Sequence, residues 1–561
     1  MAEPMLRMNV HSRPTGVPTE GSGYVAASPA SLSDEYAIFA KLVRRACRYA
    51  DAGRLTAAAA SAEVAANFAY YRHPGIWVSH DLEEMLLRLG QADGVTADQS
   101  FRQHLPSSPA SVLHVATRVE DVGGHSRMTW RWIKQDAGRR HSLALTKQGA
   151  RPIPDEIVRA VAESGGHIYI LNKRPGSIIS WARQLREISK AYDFVVLNIY
   201  ADDIIPILAF SDKDSTPPVA FLDQADHAFW LGASVSDVVV SLRESGQRLA
   251  KSRRAVDPDR SYLLPIPLTI TARSLSRREA KRQLGLPEDS LVILSIARAP
   301  KYRMFRGAHY ADPIVEVLRE FPKARLLVIG PDEDAGWKKI RSLTGGRVTA
   351  LGTFPASNAY YQAADIYLDS FPVNSITSLL EAASYGVPLI SRQAFPDTCG
   401  VLGADAPGIS SAMIRTHTEA EFTDALRALL GDEARRSSVG EAIRRDVLDA
   451  HGDGWRAQLE DLYAYATALP PNRGAAGRHD EYQADDVDLA WSEVYRTEIS
   501  LSQIESYSVK RLPLDLRLRA FCTAAWRDHE FRPGSLFPEW ATGQARGWLN
   551  AIKRSGVRHA R

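Results

Sequence analysis

Short apolar runs alternate with helical stretches twice along the chain, and this alternation restricts the possible fold more than any other feature. The first series has strand-like runs at 111–117 (SVLHVAT), 141–146, 167–171, 194–200 and 218–222, separated by helices near 128–134, 155–163 and 178–191. The second has runs at 291–297 (LVILSIA), 325–330, 347–352, 366–370 and 388–391, with helices near 312–320, 337–343, 358–363 and 375–385. Strands joined through helices of this length pair in parallel by right-handed crossovers. The expected fold is therefore α/β, with two tandem Rossmann-like doubly wound domains at 106–270 and 271–467. A chain of 561 residues has room for both and for further segments, since a domain takes about 100–200 residues.

The flanks differ in character. Residues 1–30 are rich in Pro, Gly, Ser and Thr without periodicity and read as a flexible leader. Residues 31–105 read as a helical domain in which Ser33 precedes a helix with Asp34 and Glu35 in its first turn. The Ala-rich, Tyr-ended stretch with Ala66, Phe68, Tyr70 and Tyr71 suits either packing or acceptor binding. Helical periodicity covers 421–467, where Trp455, Leu459, Leu462 and Tyr463 look like the end of the second domain. The extension 468–561 splits in charge. Residues 471–509 carry 3 basic and 8 acidic side chains, whereas 510–561 carry 11 basic and 4 acidic ones together with Trp526, Phe531, Phe537, Trp540 and Trp548. This asymmetry leaves open a peripheral contact with an anionic membrane surface.

Composition excludes other classes. A net charge of only +3 makes a nucleic-acid partner unlikely for the whole molecule. Cys47, Cys399 and Cys522 form neither a metal spacing nor a disulfide framework, so no metal site is expected. The longest uncharged run, 348–364, contains Gly, Pro, Asn and Gln and falls short of the roughly 20 apolar residues of a membrane helix. The start of the chain lacks the apolar region of a signal peptide, and the expected location is cytoplasmic, open to contact with the inner face of the membrane.

Ligands of doubly wound sheets bind beyond the carboxyl ends of the strands. The strongest such segment is 366–391, IYLDSFPVNSITSLLEAASYGVPLIS. A strand ends at Asp369, a loop carries Pro372 and Asn374, and a helix begins among Ser375, Thr377 and Ser378. Unpaired N–H groups and hydroxyls at a helix start can cradle a diphosphate. Glu381, about one turn beyond Thr377, is placed to accept the hydroxyls of a ribose. Ser375 as a simple N-cap is the plainer alternative.

This segment resembles the donor-binding segment of GT-B fold glycosyltransferases, with Glu381, Ala382, Gly386 and Pro388 at matching places. The resemblance covers about 110–467. Retaining members carry a second Glu eight positions before the ribose Glu, where this chain has Val373, which leaves the stereochemical outcome open. The loop SIARAPKYRMFRG offers Arg298, Lys301, Arg303 and Arg306, and the resemblance makes Lys301 and Arg303 the pair that offsets charge on the leaving diphosphate. It also implies that Gly352, Thr353 and Phe354 lie near the base, and that Gly123, Gly124 and His125 form the glycine loop facing the donor phosphates. In FLDQADHAFWLG, which holds Asp223, Asp226, His227 and Trp230, the pair Asp226 and His227 is expected to act at the acceptor hydroxyl or the sugar. Asp202 and Asp203 form a further candidate near the acceptor side.

The expected function is a metal-independent, hexosyltransferase-like glycosyltransferase without a cofactor. Its donor is a nucleoside diphosphate sugar and its acceptor a glycan, a lipid-linked glycan or a protein. The alternatives are a non-catalytic nucleotide-sugar-binding module and a nucleotide-sugar epimerase.

Overall fold

The computed structural model describes residues 29–92, 101–106, 108–121, 123–270, 273–353, 357–474, 478–497, 499–527 and 536–541. The first sheet contains β1 (Ser111–Ala116), β2 (Arg140–Leu145), β3 (Ile168–Ile170), β4 (Phe194–Asn198), β5 (Val219–Asp223), β6 (Val238–Ser241) and β7 (Ser261–Leu263). Its order is β3-β2-β1-β4-β5-β6-β7, and every pair is parallel. The second contains β8 (Leu291–Ile296), β9 (Ala324–Ile329), β10 (Val348–Ala350), β11 (Ile366–Leu368), β12 (Leu389–Arg392) and β13 (Ile414–Thr416), in the order β10-β9-β8-β11-β12-β13, also parallel. Helices cover both, which is why β1, β4 and β5 read as unbroken apolar runs rather than as alternating patterns. This is the two-domain GT-B architecture that the resemblance implied. β6, β7 and β13 were not among the expected strands.

Three segments depart from the expected division. Helix Trp455–Ala468, expected to close the second domain, lies on the first sheet. Trp455, Leu459, Leu462, Tyr463 and Ala466 share a core with Val112, Trp132, Phe194 and Val238. The Trp132 indole N–H donates to Tyr463 Oη at 3.1 Å, and that hydroxyl donates to Asp136 at 2.7 Å. The helical segment has no core of its own. Phe68 and Leu86 pack with Leu197, Ile205, Leu208 and Trp230 in one cluster. Helix Leu55–Arg72 is Ala-rich because it is buried almost throughout, and small side chains let neighbours approach from all sides. The first helix starts at Pro29, so Ser33, Asp34 and Glu35 lie inside it and not at its start.

Charge staples hold these parts together. The Glu83 carboxylate accepts N–H bonds from Gly232, Ala233 and Ser234 at 2.7, 3.1 and 2.6 Å, fixing helix His80–Gln91 to the turn after β5. The acidic part of the extension runs back across the molecule. Asp488 meets buried His73 at 2.7 Å and Arg253 at 3.0 Å. Phe537 is exposed and Trp540 packs against the first core. The leader residues 1–28, Phe354, Phe531, Trp548 and the Trp526 side chain lie outside the described residues. Among the described residues no helix is long and apolar enough to cross a membrane.

Candidate active site between the two sheets

Strand order reverses between β1 and β4 in one sheet and between β8 and β11 in the other, and the crevices beyond these strands are where ligands of such sheets bind. The loops 117–124 and 199–204 leave the first reversal, and 297–303 and 369–375 leave the second. Both pairs line one cleft with a cavity of about 460 Å³. Of the expected site residues, Gly123, Gly124, His125, Asp226, His227, Arg298, Lys301, Thr353, Asn374, Ser375, Thr377, Ser378 and Glu381 border it.

Asp369 builds the donor side. Its carboxylate accepts the N–H groups of Ser370 and Ser375 at 2.8 and 2.9 Å, the Asn374 amide at 2.7 Å and the Ser391 hydroxyl at 3.0 Å, and it folds the loop before helix Ile376–Ser384. Ser375 occupies the N-cap position, yet its hydroxyl makes no capping bond and meets Ser378 Oγ at 3.2 Å instead. The helix start thus turns its hydroxyls toward the cleft. A Cβ added to Gly124 would lie 3.8 Å from Thr377 Oγ1, so the glycine loop and the helix start face each other at contact range. Gly123 adopts φ 142°, a conformation that excludes most side chains.

Lys301 sits beside this helix start, its ammonium donating to the Asn374 carbonyl at 2.6 Å. Burial lowers its pKa to about 8, only partly opposed by Asp369. Arg298 is exposed on the same wall. Arg303 is not: its guanidinium donates to the Glu493 carbonyl at 3.3 Å, and neighbouring Arg306 pairs with the Glu493 carboxylate at 2.7 Å. Buried Tyr302 anchors this loop, and Arg303, bonded to the extension, is not among the residues that line the cleft beside Lys301. Gly330 lets the floor close, because a Cβ there would lie 1.6 Å from the Ala297 carbonyl oxygen. Thr353 Oγ1 donates to the Gly330 carbonyl at 3.0 Å; Gly352, at φ 72°, turns the chain behind it.

Glu381 joins the two domains. One oxygen pairs with Arg131 at 2.7 Å and Arg127 at 3.1 Å, both from the helix after the glycine loop, and the other accepts from Tyr361 Oη at 3.1 Å. A ribose reaching Glu381 must therefore share it with these arginines. Neither arginine was assigned from sequence, since the pairing spans about 250 residues.

On the acceptor side the His125 ring is pushed down to about pKa 4, first by burial and also by nearby cations. Asn198 donates its amide to Thr129 Oγ1 at 2.6 Å, so its carbonyl oxygen faces His125 Nδ1 at 3.1 Å. Neutral His125 donates from Nδ1 and keeps Nε2 as an acceptor. Asp226 is consumed by a bidentate pair with Arg243 at 2.5 and 2.8 Å, which holds its carboxyl below the usual range despite burial. It therefore orients His227, 3.4 Å away, rather than taking a proton itself. The His227 ring packs on Tyr495, 4.9 Å between centroids, and its carbonyl accepts the Trp491 indole N–H at 2.5 Å. Arg243, not singled out from sequence, also donates to the Val401 and Gly403 carbonyls and so ties β6 to the second domain. Asn67, Tyr70 and Tyr71 of the helical segment complete the wall with Tyr200 and Asp202. Asp203 turns away into a buried network with Thr117 and Thr146. Among the described residues no group of three or more His, Cys, Asp or Glu is arranged to hold a metal ion.

Residues 292–432 match the family described as glycosyl transferases group 1. D-inositol 3-phosphate glycosyltransferases are among the similar curated proteins. The one from Corynebacterium aurimucosum is 30% identical over 210 residues, covering 34% of this chain and 47% of its own length. The one from Nocardia farcinica is 28% identical over 280 residues, covering 45% and 58%. The chain thus spans about half the length of the curated relatives it matches. Among solved structures, Anabaena HepE in complex with UDP and glucose aligns over 63% of this chain and 99% of its own at 13% identity and TM-score 0.47. A mutant Thermobaculum terrenum O-GlcNAc transferase aligns over 78% and 85% at 15% identity and TM-score 0.45.

Proposed function

We propose that the protein transfers a sugar from a nucleoside diphosphate sugar to a hydroxyl of a glycan, lipid-linked or protein acceptor in the cleft between its two sheets, a reading supported by the match of residues 292–432 to the glycosyl transferases group 1 family. The observation that carries this reading is the placement of Lys301. It is a desolvated cation with no ion-pair partner within 4 Å among the described residues, set beside a hydroxyl-bearing helix start that faces a glycine loop. A diphosphate supplies the charge that Lys301 lacks and the acceptors that the helix start needs. Glu381 would hold the ribose, Thr353 would lie near the base, and Arg298 would offset charge at the mouth.

In transfer, the acceptor oxygen bonds to the anomeric carbon while the bond from that carbon to the phosphate oxygen breaks. Lys301 and the N–H groups of helix Ile376–Ser384 stabilise the charge that moves onto the departing diphosphate, where preorganised donors in a water-poor cleft act most strongly. The residues on the cleft wall supply this stabilisation without a resident metal. The wall of Asn67, Tyr70, Tyr71 and Tyr200 receives the acceptor.

A thermal-shift panel of UDP, GDP, ADP, CMP and TDP with their common sugars tests this. A ligand that binds only the folded state at about a hundred times its Kd adds about 2.7 kcal/mol, so one nucleoside diphosphate is expected to raise Tm by several degrees. In Glu381→Ala the shift should shrink while the ligand-free protein still melts cooperatively. No shift with any ligand would contradict the reading.

A further inference from the structure

We propose that Asp223, at the carboxyl end of β5, is the general base that removes the proton from the acceptor hydroxyl. The inference rests on the glycosyl-transfer reading above and adds a residue to it. Three observations lead to Asp223.

First, Asp223 borders the cleft but is 1% exposed, and neither of its carboxylate oxygens has a hydrogen-bond partner. A buried carboxylate without partners costs several kcal/mol and persists only where something else requires it. Its neighbours carry orphaned atoms too. Ser241, its register partner on β6, has an unpartnered Oγ, and Arg254 leaves Nε and Nη1 unpartnered although it is buried. Arg254 spends its remaining nitrogen on the carbonyls of Asp226 and Ala228, at 2.9 and 2.5 Å, and stacks between Trp77 and Trp230, 5.4 and 4.9 Å from their centroids. The orphaned atoms, the Trp230 indole nitrogen among them, thus gather around Asp223.

Second, the other carboxylates on the acceptor side are engaged. Asp226 is bound by Arg243, and His227 Nδ1 faces Asp226. Asp202 is held by Lys147 at 3.2 Å and Asn67 at 3.3 Å. Among the described carboxylates that line the cleft, Asp223 is the one with both oxygens unpartnered.

Third, its titration suits the task. The charged and titratable groups around it are Arg254 behind it on the following helix, Asp226 on its own turn and Arg243 at the start of that helix, with the Trp230 indole beside it. Burial, aided by the Asp226 charge and opposed by Arg254, pushes its carboxyl up to about 7. A base works best when its pKa lies near the working pH.

The step balances. The acceptor O–H proton passes to an Asp223 oxygen as the acceptor oxygen bonds to the anomeric carbon. The electron pair of the breaking carbon–oxygen bond stays with the nucleoside diphosphate. Asp223 then returns its proton to water.

The test compares wild type with Asp223→Asn on three readouts: binding of the nucleoside diphosphate that gives a thermal shift, hydrolysis of the matching sugar nucleotide with water as acceptor, and Tm at pH 5 and pH 8. Loss of the base should lower hydrolysis about a hundredfold or more and abolish the acid limb of kcat/KM near pH 7, with nucleotide binding kept. The carboxyl titrates above its unfolded value. Its proton therefore favours the folded state at low pH, and stability falls as pH rises from about 4 to about 7. Asp223→Asn removes that loss, so its Tm should exceed that of wild type at pH 8 and do so by less at pH 5. Unchanged hydrolysis in Asp223→Asn would overturn the proposal, as would a Tm lowered at both pH values, which would mark a structural residue. Failure of wild type to bind any nucleotide would sink the glycosyl-transfer reading instead, and is seen before the variant is examined.

Discussion

Lys301→Ala is expected to lower sugar-nucleotide turnover by about a hundred- to a thousandfold, the range lost when one preorganised donor to a developing anion is removed. The loss should come with little change in Tm. The Lys301 ammonium is buried against a single backbone carbonyl, and burial already disfavours its charge. Removing it relieves that cost rather than breaking a pair. The same displacement gives a pH signature. A cation whose pKa is lowered to about 8 is lost as pH rises past that value, so kcat/KM should fall on the alkaline side near pH 8. With the acid limb assigned to Asp223 near 7, activity should be confined to a narrow bell. Steady-state kinetics across pH 5.5–9.5 checks both limbs. An unchanged turnover in Lys301→Ala would remove the diphosphate from the place assigned to it.

Arg511→Ala is expected to destabilise the protein by about 3–5 kcal/mol, the usual cost of removing one partner from a buried ion pair. Arg511 reaches from the extension into the core. Its Nε meets Glu63 at 2.5 Å and its Nη1 meets Glu539 at 2.8 Å. Glu63 also binds Lys147 at 2.8 Å, and Lys147 holds Asp202 on the cleft wall. Without Arg511, Glu63 remains buried with one cation instead of two. The effect should therefore reach the acceptor wall and not stay in the extension. Denaturant titration measures it, and Glu63→Gln in the Arg511→Ala background should recover part of the loss, because the two residues share one interaction. A change below about 1 kcal/mol would show that the extension is not anchored this way.

How far such a site can be read from sequence depends on the range of the interaction involved. The strand–helix alternation is local, and ten of the thirteen strands fall on the apolar runs that suggested them: six lie within their runs, while β2, β5, β9 and β12 are offset by one residue. The helix start at 375–378, Glu381, Lys301 and the glycine loop were legible because each sits at the carboxyl end of a strand, where topology alone brings ligands. The strands β6, β7 and β13, 3 or 4 residues each, were not read from the sequence. Helix Trp455–Ala468 was assigned to the wrong sheet because its apolar face does not encode which core it meets. Arg303 meets the Glu493 carbonyl, a contact across 190 residues that the sequence does not encode locally, whereas Lys301, two residues earlier, lines the cleft. Asp226 and Asp223 look alike in the sequence. Only tertiary neighbours make one an ionised partner of Arg243 and leave the other a carboxyl without partners.

The central claim is that this cleft performs transfer and does not merely hold a nucleotide. Its most direct test follows release of nucleoside diphosphate from each sugar nucleotide of the panel by purified protein without added acceptor, in wild type and Lys301→Ala. Slow release from one sugar nucleotide, absent in Lys301→Ala, is the predicted result. Tight binding of a sugar nucleotide with no release by wild type, alone or with glycan, lipid-linked or protein acceptors added, would contradict the claim and leave a nucleotide-sugar-binding module.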